Sequence, residues 1–123
     1  MEGQSAEEEK ETGSLNPDLE TLAKVKRSRI RREVLRYLVT KYPEMVSASS
    51  MAFELRVHLI DVCGVLHGAL PRYREEDSLV ALGLAEEITQ TGGYSRNRAF
   101  YKATEYALSF YKKHSSRLER VRA

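Results

Sequence analysis

The sequence predicts a mainly helical α/β domain: a run of helices, one β-hairpin and a closing helix. Three observations predict it. Apolar residues recur at helical spacing through SRIRREVLRYLVTKY (28–42) and again through 47–70. Two stretches of β-type composition, AEEITQT (85–91) and AFYKAT (99–104), flank the turn-rich, basic GGYSRNR (92–98). After Thr104 the helical apolar period resumes.

A chain of 123 residues, 41% of them hydrophobic, holds one domain and some tail. Its single cysteine, Cys63, excludes an internal disulfide framework and fits a reducing compartment. No apolar run approaches the roughly 20 residues of a membrane span, and no signal-peptide pattern opens the chain. The expectation is a soluble cytoplasmic protein with no membrane partner. The net charge of +2 conceals an asymmetry. Residues 1–20 carry one Lys against seven acids, a net −6, and residues 21–123 carry nineteen Lys or Arg against eleven acids, a net +8. A basic body suits a phosphate backbone, since neutralised phosphates release counterions, although such a charge also serves solubility. The expected organisation is a disordered acidic tail (1–15), a domain with an N-terminal helical extension (16–113) and a basic C-terminal extension (114–123). The tail is a solvated end, or an arm that lies over the basic surface and weakens non-specific binding.

Asn16 and Pro17 form a helix start, with Leu19, Leu22, Ala23 and Val25 as a modest apolar stripe. Ser28 either restarts or interrupts this segment. From there Ile30, Val34, Leu35, Tyr37, Leu38 and Tyr42 form one face and Arg29, Arg32 and Arg36 the other, until Pro43 ends it. The basic run from Lys24 to Arg36 reads first as a solvated face and second as a flanking phosphate contact. Ser47 caps a short helix through about Leu55, and another runs from about Leu59 to Leu70. Arg72–Asp77 is a charged loop. SLVALGL (78–84) reads as a short helical piece stopping at Gly83. Thr104 caps the last helix, with Tyr106, Ala107, Phe110, Tyr111 and Leu118 on its apolar face. No internal repeat is present.

The stretch 47–70 carries the functional signal. Two short helices crossing at a tight turn need apolar side chains at fixed offsets. Met51 and Leu55 supply the first inner face, small Ala52 allows close approach, Val57 plugs the turn, and Val62, Val65 and Leu66 supply the second face. These offsets resemble the helix-turn-helix of transcription regulators, with Arg56 standing where Gly is common. SLVALGLAEEITQTGGYSRNRAFYKATEYAL extends the likeness to a winged helix-turn-helix with a two-stranded wing. Over residues 28–112 the chain resembles archaeal winged helix-turn-helix regulators, which combine a YP-x-x-VSAS start with an RY…SLV-x-LGL connector. The archaellum regulators of euryarchaea are one branch of that likeness. It implies a sequence-specific double-stranded DNA-binding protein that regulates transcription at promoters, and it identifies neither operator nor effector.

In that layout the second helix (about 59–70) enters the major groove. Its outward candidates are His58, Leu59, Ile60, Asp61, Cys63, Gly64, His67 and Gly68, a face without Arg, Lys, Asn or Gln. Leu59 or Ile60 suits thymine methyls, and His58 or His67 suits phosphate or guanine. Gly64 and Gly68 each cost about 1 kcal/mol of helix stability relative to Ala, and serve close approach either to DNA or to a packed neighbour. Ser47, Ser49 and Ser50, with the helix start they cap, offer donors to a backbone oxygen. Arg72 and Arg74 follow the helix. Tyr94, Arg96, Asn97 and Arg98 occupy the wing tip, suited to the backbone or a minor groove, with a plain solvated turn as the alternative.

His58, Cys63 and His67 are too few for a structural zinc site, and Cys63 has no base or oxyanion site nearby in sequence to make it a nucleophile. No cofactor, metal or enzymatic activity is expected. The rival reading is a winged-helix protein-interaction module within a larger transcription or repair assembly. The apolar stripes at the two ends of the chain predict a homodimer, unless those helices pack on each other within one chain. Contact with the basal transcription machinery is a further expectation.

Overall fold

The computed structural model describes residues 17–69, 71–91 and 97–120. Among these, five α-helices and a three-stranded antiparallel sheet surround one core. The helices are α1 (Pro17–Lys26), α2 (Arg29–Lys41), α3 (Ala48–Leu55), α4 (Leu59–His67) and α5 (Glu105–Arg120). The strands are β1 (Val46–Ser47), β2 (Ala85–Thr91) and β3 (Asn97–Ala103), in the spatial order β1-β3-β2. This is a mainly helical α/β, winged-helix-like fold, as the sequence predicts.

Helix boundaries follow their caps. The Ser28 hydroxyl accepts from the Arg31 amide and so restarts the chain as α2, whose Val34, Leu35 and Leu38 are fully buried. Tyr42, before Pro43, takes extended geometry (ψ 136°) and ends it. Ser47 caps α3 by accepting from the Ser50 amide at 3.2 Å. The Thr104 hydroxyl accepts from the Ala107 amide at 3.0 Å and donates to the Gly83 carbonyl at 2.6 Å, tying α5 to the start of the hairpin.

Four expectations are corrected. The sheet has a third strand, because β1 pairs with β3 (Val46 with Tyr101, Ser47 with Phe100); two residues are too short to show an alternating pattern. Helix α4 ends at His67, three residues early, because Gly68 adopts φ 94° and Ala69 pairs with Tyr73 in a tight loop. The 78–84 segment is a capped turn rather than a helix. Its Leu79 and Val80 amides donate to the Val65 and Leu66 carbonyls near the end of α4, which suits carbonyls left without helical partners. It does stop at Gly83 (φ 78°). Finally, the expected division at 113/114 falls inside α5, which continues to Arg120 with His114 and Leu118 buried.

The terminal helices pack on each other. Leu22 and Val25 of α1 and Phe110 and Leu118 of α5 all belong to the single core. Asp18 binds the Tyr106 hydroxyl at 2.8 Å and lies 3.2 Å from Lys113 and 3.4 Å from His114. The apolar stripes from which a homodimer was expected are therefore largely consumed within one chain. The 1–15 tail and the Asn16 cap lie outside the described residues, as does Leu70.

Candidate nucleic-acid interface

The helix-turn-helix is built by its apolar offsets. Met51, Val62, Val65 and Leu66 are fully buried, and Ala52, Leu55 and Val57 pack partly exposed against the same core. Between the helices Arg56 adopts φ 59°, ψ 47°, the left-handed conformation in which Gly is the common residue. Its amide and that of Val57 reach back to α3, Val57 donating to the Ala52 carbonyl at 3.1 Å.

At about 100° per residue, Val62, Val65 and Leu66 form the arc of α4 that faces the core. Leu59, Cys63, His67 and Ile60 form the adjoining arc, with Leu59 at its border about 20° from Leu66 and Ile60 farthest from the core face. His58 (at the N-cap), Leu59, Ile60 and His67 are exposed and Cys63 is half-buried. The His67 ring stacks on Tyr101 of β3, centroids 5.9 Å apart, which fixes the end of α4 against the hairpin. Burial pushes the Cys63 thiol above its ordinary pKa, so the sulfur is a neutral, weakly polar part of this arc.

Two candidates leave the arc. Asp61 is 6% exposed; it accepts the Tyr73 hydroxyl at 2.6 Å and lies 3.6 Å from Arg72. Gly64 is buried beneath the Tyr73 ring, where an added Cβ would stand 2.2 Å from a ring carbon. Both positions serve internal packing against the 69–73 loop. Gly68, with positive φ, lies against the Glu75 backbone. Of the two readings for these glycines, close packing against a neighbour within the chain is the one that holds.

The exposed arc borders a groove of about 360 Å³ lined by Ser47, Ala48, Ser49, Leu59, Cys63, Ala99, Phe100 and Tyr101. Ser47 and Ser49 thus join Leu59 on one face. Ser50 is exposed at the start of α3, its amide taken by Ser47. Arg72 and Arg74 are exposed, Arg74 held to Glu76. In the wing, Tyr94 and Arg96 lie outside the described residues. The backbones of Asn97 and Arg98 pair with Thr91 and Gln90 in the hairpin. In the basic run, Arg31 is buried and donates to the Lys24 carbonyl at 2.8 Å, Lys24 pairs with Asp77, and Arg29 pairs with Glu33. Arg31 and Lys24 therefore fasten α1, whereas Arg27 and Arg36 remain exposed.

Sequence reasoning missed the β3 wall of the groove and Phe53, which is 83% exposed on α3. No local signal marks Phe53, since an apolar residue on a short helix is ordinarily assigned to the core. Among the described residues no group of three His, Cys, Asp or Glu side chains could hold a metal ion, and no helix is long and apolar enough to cross a membrane.

Fold and site together define a winged-helix-like protein in which α4 presents an exposed arc beside the hairpin. The profile of the EarA-like family matches residues 21–113, and the chain belongs to that family. It is also similar to an uncharacterised protein of Methanocaldococcus jannaschii, 32% identical over 80 residues that cover 65% of this chain and 68% of the relative. No solved structure gives a significant match.

Proposed function

We propose that the protein binds double-stranded DNA and regulates transcription from the promoters it occupies, with α4 in the major groove and the β2–β3 hairpin on the flanking backbone or minor groove. The observation that carries this reading is the division of α4. One face locks into the core through Val62, Val65 and Leu66, while His58, Leu59 and Ile60 stand exposed at the start of the helix and His67, stacked on Tyr101, is exposed at its end. A major groove accepts a helix presented in this way. The basic balance of residues 21–123 and the basic sequence GGYSRNR supply the electrostatic half, and membership of the EarA-like family supports a regulatory role. Contact with the basal transcription machinery would follow from promoter occupancy. The likeness to archaellum regulators makes promoters of that organelle the first natural probes.

The test is selection of bound sites from a random duplex pool, followed by titration of the selected duplex at several salt concentrations. A recovered consensus and a log K against log salt slope of about −0.9 per phosphate contact are expected. Retention independent of salt, with no consensus, contradicts the proposal. A second reading, a protein-interaction module, draws on Phe53, exposed on the first helix of the helix-turn-helix; it predicts self-association or partner binding without duplex affinity.

A further inference from the structure

The exposed arc of α4 has an unusual chemistry for a helix that reads DNA. Leu59 is 48% and Ile60 67% exposed, and Cys63 and His67 complete the arc. Arg, Lys, Asn and Gln, the side chains that make bidentate contacts to guanine or adenine, are absent from it. The one carboxylate of the helix, Asp61, which could accept from a cytosine amino group, is turned inward onto Tyr73. The nearest arginines of the following loop are paired, Arg72 with Asp61 and Arg74 with Glu76. The first turn of α4, the part that reaches deepest in a helix-turn-helix complex, therefore offers two branched aliphatic side chains.

Among the major-groove edges of the four base pairs, one group is apolar: the C5-methyl of thymine. We infer that α4 reads thymine methyls through Leu59 and Ile60, so that each recognised element is T-rich and is selected by apolar contact in place of hydrogen bonds. This deepens the DNA-binding reading and rests on it. Burial of a methyl against an aliphatic side chain removes water from both, and the partner must match in shape as well as polarity. Ile60 is the more exposed of the two. Leu59 also lines the groove between α4 and β3, across from Ala99 and Phe100.

The test uses the full chain and the duplex returned by selection. Each thymine in turn is replaced by deoxyuridine, which deletes the methyl and keeps every hydrogen-bonding atom, and affinity is read by fluorescence anisotropy. The wild-type protein is expected to lose about fourfold at each thymine whose methyl is buried, at two or more positions. L59A/I60A is expected to bind the thymine and uracil duplexes equally. A thermal melt checks its fold, and the single variant I60A, altering the more exposed residue, gives the same comparison if the double variant melts early. A wild-type protein that selects a sequence yet ignores every deoxyuridine overturns methyl reading and leaves DNA binding standing. No retention on any duplex overturns both. A double variant that keeps its deoxyuridine sensitivity, but loses mass in light scattering, assigns the aliphatic arc to protein contact and overturns the inference.

Discussion

Arg56 holds φ 59°, ψ 47° at the C-terminal end of α3, a conformation that places Cβ close to the following carbonyl and costs an L-residue about 1–2 kcal/mol. Its side chain is exposed, so nothing in the core depends on it. Arg56→Gly should stabilise the domain by about 0.5–1 kcal/mol, the relief of strain being partly offset by the greater freedom of glycine in the unfolded chain. Urea denaturation checks this; a destabilised variant would mean that the arginine side chain holds the turn in a way its exposure does not reveal. At this scale the sequence was partly readable. The Arg at a glycine-type position was visible from the offsets of Met51, Leu55 and Val57. The covering of Asp61 and Gly64 was not, because Tyr73 returns over α4 only after a turn at 69–73 that local periodicity does not encode.

The packing of α1 on α5 joins the two ends of the described chain. Asp18 is its polar anchor. The Tyr106 hydroxyl chiefly, then Lys113 and His114, hold its carboxyl below the ordinary value of 3.8, against the opposing push of burial. A carboxylate with a lowered folded-state pKa stabilises the fold fully above its unfolded value and loses that contribution as pH falls through the folded value. Asp18→Asn should therefore melt below the wild type at pH 6, and the difference should close as pH drops below about 3.8. A gap that stays constant across this range would show that the carboxylate charge is not what docks the helices. Elements with strong period or clear caps (α2, α3, α5 and both hairpin strands) were legible in advance. The pairing of α1 with α5 was not, since amphipathic stripes look alike whether a second copy or the same chain covers them. Strand β1 was also missed, its two residues being defined only by pairing with β3.

At the scale of the molecule, one core holds α4 by its inner face and leaves an aliphatic outer arc beside the hairpin. The claim that this arc meets duplex DNA is tested most directly by Ile60→Asp. The position is 67% exposed, so the new carboxylate stays solvated and the fold should be kept, as the melting temperature would report. Facing phosphates in a groove, the same charge meets like charge, a juxtaposition that costs several kcal/mol. Titration of the selected duplex at fixed salt should give wild-type binding and a loss of about a hundredfold or more in the folded variant. A folded Ile60→Asp protein that binds the duplex as tightly as wild type would contradict the account, because α4 would then lie outside the interface.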